Sequence, residues 1–150
     1  MELQQKANRL EQMKSTMEVL GEQKQMLDNY LDEHDRAKKT MKQYQKKDEG
    51  TEIMVPIGAD SYVHSKISNS EEVLIGIGSD LSAEQKIEKA LDVIERKKEK
   101  IKESKEELEE KIDELNEDTQ ALQQEIREEY QKLQQQQQQQ AQGGGQVFDK

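Results

Sequence analysis

The sequence predicts an α+β chain, mainly α: two long helices pair as an antiparallel coiled-coil hairpin, with a small β insert between them. Three observations predict it. Apolar residues recur in alternating steps of three and four through both flanks of the chain, which puts one stripe along each helix. The middle, residues 52–83, is instead rich in β-branched residues and holds the one proline, Pro56. Hydrophobic residues make up 31% of the 150 and charged residues 37%, with no Trp and one Phe, too little apolar material for a globular core of this length.

The first helix is expected over residues 2–46. Leu10, Met13, Met17, Leu20, Leu27, Leu31 and Met41 keep the coiled-coil spacing, no proline interrupts them, and Gly21 is the helix's one glycine. At 1.5 Å per residue such a helix measures roughly 65 Å. Lys24, His34 and Lys38 are polar exceptions in the stripe, where they set register and let long stems snorkel to water. His34 has no second ligand at helical spacing and is read as structural. Met13, Met17 and Met26 pack in or beside the stripe, and their flexibility also suits an adaptable surface.

Within the insert, Ile53–Ile57, Tyr62–Ile67 and Val73–Ile77 alternate or cluster as strands do. Gly58-Ala59-Asp60 turns the chain between the first two runs, and Ser68-Asn69-Ser70 between the second and third. So small a unit does not bury a core alone, and its open apolar edges call for partners of the same kind. The candidate assembly residues are Ile53, Val55, Ile57, Tyr62, Val63, Ile67, Val73, Ile75 and Ile77.

The second helix is expected over residues 85–133, with Ser82-Ala83-Glu84-Gln85 as a capping box ahead of it. Every seventh residue from Ile87 is apolar: Ile94, Ile101, Leu108, Leu115 and Leu122. The companion position reads Leu91, Lys98, Lys105, Ile112, Thr119, Ile126 and Leu133. Both helices leave one insert, so pairing within the chain closes the structure most simply. That sets Leu31–Met41 beside Ile87–Ile101 and Leu10–Leu20 beside Leu108–Leu122, with the free ends at one distal tip. Residues 1–133 thus form a single unit. Residues 134–150, seven glutamines followed by AQGGGQVFDK, are expected to be a flexible low-complexity tail whose only apolar hook is Val147 and Phe148.

Several functions are set aside on this reading. A formal charge of −10 argues against nucleic acid, which needs a basic stripe. The absence of cysteine excludes disulfides and thiol chemistry and fits the cytosol. No run approaches the roughly 20 apolar residues of a membrane span, and MELQQKANRL lacks a secretory core. Gly76-Ile77-Gly78 lacks the third glycine of a dinucleotide loop, having Leu81 there, and sits in no βαβ unit. His34 and His64 have no Cys companions for zinc. The carboxylates lie on exposed helix faces, without the burial that paired acid–base chemistry requires. No enzyme, cofactor or metal site is read.

Val55-Pro56-Ile57-Gly58, Tyr62-Val63 and Ile75-Gly76-Ile77-Gly78, set between two long heptad helices, resemble the α-class subunits of prefoldin. The resemblance covers residues of about 53–94 by motif and the helices by pattern. It implies two β-hairpins between the helices, with a short fourth strand at Leu81-Ser82-Ala83, and it implies that the hairpins build part of an oligomeric β-barrel hub. It further implies a cytoplasmic hetero-hexamer of two α-class and four β-class subunits. Such an assembly would capture unfolded or nascent polypeptides without ATP and pass them to a group II chaperonin. Capture at the distal arm ends would fall to Leu3, Leu10, Met13, Met17, Ile112, Leu122, Ile126 and Leu133. The alternative function is a coiled-coil scaffold that tethers fixed partners and holds no clients.

Overall fold

A computed structural model describes residues 2–144. The elements are α1 (Glu2–Gln45), β1 (Glu52–Gly58), β2 (Ser61–Lys66), β3 (Glu72–Gly78), β4 (Leu81–Lys86) and α2 (Ile87–Gly143). Both helices and the inserted β unit are therefore as expected. Val147 and Phe148 lie outside the described residues.

Along α1 half-buried residues include Leu3, Lys6, Leu10, Met13, Met17, Leu20, Lys24, Leu27, Leu31, His34, Lys38 and Met41, which keep the three–four spacing without a break, with Asp28, Ala37 and Tyr44 beside them. None of its residues is fully buried, as befits a helix that covers only one neighbour. α1 ends one residue before the expected boundary. Lys46 N–H donates to the Gln43 carbonyl at 3.2 Å and Lys47 N–H to Tyr44 at 3.0 Å, tightening the last turn.

The chain divides into two compact units. One takes in Met26–Ser104, and so the whole β insert with the helix segments on either side. Here the helices pair antiparallel: Lys38 is ion-paired with Glu95, Lys98 with Asp35, and the Gln45 amide donates to Glu88 at 2.6 Å. In each pair the residue numbers add to 133. Two antiparallel two-stranded sheets follow one another, β1 with β2 and β3 with β4. β2 and β3 do not pair, so Ser68-Asn69-Ser70 joins two hairpins and does not turn one.

The two hairpins share a device. In β1–β2 the two loop residues, Ala59 and Asp60, have φ of 46° and 55°; in β3–β4, Ser79 and Asp80 have 51° and 58°. Left-handed backbone at both positions gives the turn whose twist matches the strands it joins. A one-residue bulge precedes each turn, at Ile57 and at Ile77, and Gly58 and Gly78 take φ of 106° and 109° there. The repeated string Ile-Gly-Ala/Ser-Asp encodes both.

The fourth strand that the resemblance implies at Leu81-Ser82-Ala83 forms and runs on to Lys86, and the alternative capping box does not. Ser82, Ala83, Glu84 and Gln85 pair with Gly76, Ile75, Leu74 and Val73, so the insert runs to Lys86 and α2 starts at Ile87. The strand wins because β3 offers these residues a full ladder and lets Ile75 and Ala83 share the face turned to the helices. Ile75, Ala90 and Ile94 are the buried cluster there, with Ala37, Met41, Val73 and Val93 against it. Ile87 N–H donates to the Glu71 carbonyl at 2.9 Å, satisfying a helix-start donor without a side-chain cap. Lys97 Nζ donates to the Gly76 carbonyl at 2.8 Å, fastening β3 to α2.

Between the hairpins, Ile67 is 3% exposed. Gly50 N–H donates to its carbonyl at 2.7 Å, and its own N–H donates to Thr51 at 3.0 Å. Tyr44 Oη donates to the Asn69 carbonyl at 2.8 Å, tying the same segment to α1.

The other unit takes in the described residues up to Gln25 and from Lys105 onward. Lys24 pairs with Glu109 at 3.2 Å, Lys6 with Glu125 at 3.2 Å and also with Glu129. Leu108, Thr119 and Leu122 are buried in this pairing, and the Thr119 hydroxyl is satisfied by the Leu115 carbonyl at 2.6 Å. Here the expectation of a flexible tail from residue 134 is corrected: α2 continues to Gly143. Glutamine is a good helix former, and extending an existing helix avoids the cost of a new nucleus. The first glycine after Leu133 is Gly143, where the helix stops.

Candidate functional site

Two apolar surfaces stand out, one in each unit. The first belongs to the hairpins. In β1–β2, Val55 pairs with Val63 on one face while Met54 pairs with His64 and Pro56 with Tyr62 on the other. Both faces are open: Met54 is 53% exposed, Ile57 64% and Tyr62 57%. In β3–β4 one face is covered by the helices, and Leu74, Ile77 and Leu81 are exposed. Exposed side chains of this size at a two-stranded sheet are unusual for a finished domain.

Of the nine residues expected to assemble, Val55, Ile57, Tyr62, Val63 and Ile77 are exposed, and Ile53 and Val73 are half-buried. Ile67 and Ile75 are buried within the chain and are corrected to in-chain anchors. Met54, Leu74 and Leu81 were missed. Leu74 is the most exposed large apolar side chain of these, at 70%. It sits in an unbroken apolar run, Val73-Leu74-Ile75, where alternation does not declare which face is covered; strand parity against Ile75 would have found it.

The second surface lies along the paired arm segments of the other unit. Leu3, Leu10, Met13, Met17, Ile112 and Ile126 are half-buried in the seam. Leu122 is buried, and Leu133 is exposed. Met13 and Leu122 come together in a groove of about 470 Å3 whose other walls include Lys6, Arg9, Asp118 and Glu125. Leu3 and Leu133 share a second groove with Glu129 and Gln136. Val19 and Tyr130, each at least half exposed, were missed because they lie off the heptad positions.

Charge organises the seam. The Lys98 hydrogen bond to Asp35 holds the Asp35 carboxyl below its ordinary range and the Lys98 ammonium above its own. Lys38 does the same to Glu95, and Glu129 with Glu125 raises Lys6. His34 Nδ1–H donates to the Tyr30 carbonyl one turn earlier at 2.6 Å. Among the described residues no cluster of His, Cys, Asp or Glu has the arrangement of a metal site. No helix among them is long and apolar enough to cross a membrane.

A family model described as prefoldin subunit matches residues 13–132. The chain belongs to the prefoldin family. Among curated prefoldin alpha subunits, that of Methanosarcina acetivorans is 27% identical over 101 residues, covering 65% of this chain and 71% of the relative. That of Methanopyrus kandleri is 28% identical over 74 residues, 49% of this chain and 47% of the relative. The match therefore spans about half the length of the latter. A cryo-EM structure of filamentous prefoldin from Methanocaldococcus jannaschii aligns with a TM-score of 0.69 at 26% identity, covering 75% of this chain and 93% of that one. The crystal structure of the prefoldin beta subunit from Thermococcus strain KS-1 aligns with a TM-score of 0.55 at 17% identity, covering 85% and 90%, and shares the fold.

Proposed function

We propose that this chain is an α-class subunit of an ATP-independent co-chaperone that holds unfolded or nascent polypeptides at its distal arm ends and passes them to a group II chaperonin. The observation that carries this is the pair of hairpins with apolar side chains left open, Met54, Ile57, Tyr62, Leu74 and Leu81. They need partner strands, and likeness to prefoldin alpha subunits supports β-class subunits as those partners, in a cytoplasmic hetero-hexamer of two α and four β.

Several arms carried by one hub suit weak, unselective capture. A client side chain covered by Leu133 or Leu3 gains about 1.5–3 kcal/mol if fully buried, and linkage of several arms multiplies such small gains. The test is aggregation of two unrelated denatured clients, followed by light scattering, with this chain assembled on β-class subunits. Protection of both clients without nucleotide is expected. Failure with both, from an intact assembly, overturns the reading.

A second reading, a structural scaffold that holds no clients, has one observation in its favour: the likeness to a filamentous prefoldin. It is met by a regular polymer of the purified chain alone that leaves client aggregation unchanged.

A further inference from the structure

Four of the lysines that interrupt the seam, Lys6, Lys24, Lys38 and Lys98, have partners on the opposite helix. Lys6 on α1 meets Glu125 and Glu129 on α2, and Lys24 meets Glu109. Lys38 on α1 meets Glu95, and Lys98 on α2 meets Asp35. Lys98 also lies 3.8 Å from Glu95, one turn before it on its own helix. Its side chain is 11% exposed, so it is a seam residue and not a rim charge. Paired residue numbers add to 133 in three of the five contacts, and to 131 and 135 in the two around Lys6.

The apolar part of the seam does not by itself demand this pairing. Two copies of α2 laid parallel and in register would set Ile87, Ile94, Ile101, Leu108, Leu115 and Leu122 against themselves, a good coiled-coil core. In that arrangement Lys98 would face Lys98, with no carboxylate across the seam. Two parallel copies of α1 would likewise set Lys6, Lys24 and Lys38 against themselves. A slip of one heptad toward α2's C-terminus would bring Lys38 level with Lys102 and Lys98 level with Lys42. Each wrong arrangement replaces an opposite-charge contact by a like-charge one, which discriminates twice over.

We propose that Lys6, Lys24, Lys38 and Lys98 are specificity residues for helix pairing: with their cross-seam carboxylates they direct α1 onto α2 and turn away like-with-like pairing between copies of this chain. Apolar residues in their place would hold the helices at least as tightly, because ion pairs this open to solvent add little net stability while packed apolar seam residues add more. What the lysines add is the choice of partner. That matters for a subunit whose hairpins gather several long helices at one hub.

The chain has no cysteine, which makes a disulfide reporter clean. A single Ile101→Cys in the full chain reads α2–α2 pairing as interchain disulfide under mild oxidation. Three backgrounds carry it: the natural sequence, Lys38→Leu with Lys98→Leu, and a charge swap of Lys38→Glu, Glu95→Lys, Asp35→Lys and Lys98→Glu. Thermal unfolding checks that each remains helical. The leucine background should raise the disulfide dimer at least about tenfold while unfolding no earlier, and the swap should stay at the natural level because it keeps complementary charges. The proposal is overturned if the leucine background dimerises no more than the natural chain. It is equally overturned if the swap dimerises as much as the leucine background, for then charge complementarity is not what selects the partner. Should the leucine background lose its helix, the milder Lys98→Met alone, with Asp35→Asn, is read by the same two criteria.

Discussion

At Asp35 and Glu95 the seam couples to pH. Their carboxyls sit below the ordinary range because Lys98 and Lys38 hydrogen-bond to the charged form. The stability they contribute is therefore present above the ordinary carboxylate value of about 4 and is lost as pH falls through the lowered one. Lys98 and Lys6 are raised, so their share is complete below the ordinary lysine value of about 10.4 and disappears only as pH climbs past it. Thermal midpoints followed by circular dichroism should be level from about pH 6 to 9 and drop on acidification. Asp35→Asn should start lower on the plateau and show a shallower acid limb. Equal acid limbs in the two proteins would remove Asp35 from the account. A second residue-level prediction concerns Ala59, held at φ 46° as the first loop residue of its hairpin. Asparagine accepts that backbone more readily than alanine, so Ala59→Asn should stabilise the β1–β2 hairpin by about 0.5–1 kcal/mol. Slower amide exchange at Val55 and Val63 would register it.

Among the elements, the helices were the most legible part, because a heptad repeat persists for many turns and its lysine exceptions still occupy seam positions. The fourth strand was the least. Leu81-Ser82-Ala83-Glu84-Gln85 has weak strand propensity and a good capping pattern, and only the ladder with Val73–Gly76 and the packing of Ile75 decide it. The turn at Ser79-Asp80 was legible in principle, since Ile77-Gly78-Ser79-Asp80 repeats Ile57-Gly58-Ala59-Asp60. The assembly surface was read too broadly for a similar reason: nothing local separates Ile75, which docks on the helices, from Ile77, which does not. α2 beyond Leu133 gives an element-level prediction. With pairing offset at 133, Glu2 stands level with residue 131, so residues 134–143 run past the first described residue of α1. A chain ending at Leu133 should lose their ellipticity alone, and its thermal midpoint should move by no more than ~2 °C, because only Gln136 is removed from the groove around Leu3 and Leu133 and every cross-helix ion pair stays. A larger drop would mean that the glutamine helix supports the arm.

For the whole molecule, the proposed assembly and capture surfaces are separable. Ile57→Asp with Leu74→Asp charges two side chains that are 64% and 70% exposed, so the chain should stay helical while its light-scattering mass falls to that of the unassembled chain. Ile75→Asp should instead unfold the docked hairpin, at a cost of at least about 3 kcal/mol, because it leaves a charge buried against Ala90 and Ile94. Removing residues 1–12 and 124–150 makes the reverse cut. It deletes Leu3, Leu10, Ile126, Leu133 and the Lys6 ion pairs, and it leaves Lys24–Glu109, both pairs nearer the hairpins, and every strand. Ends of helices open most readily, since their last hydrogen bonds lack partners and little packing holds the final turn. That makes the deleted side chains the ones most often exposed, and under the proposed function the ones that meet a client. The trimmed chain should therefore assemble with β-class subunits at the natural mass and protect denatured clients far less, the more so when the β-class arms are shortened as well. The chain lacking only residues 134–150 should protect as the full one does. A doubly trimmed assembly that still suppresses client aggregation completely would move the grip from the arm ends to the hairpin side, where Leu74, Leu81 and Tyr62 would be the residues to test next.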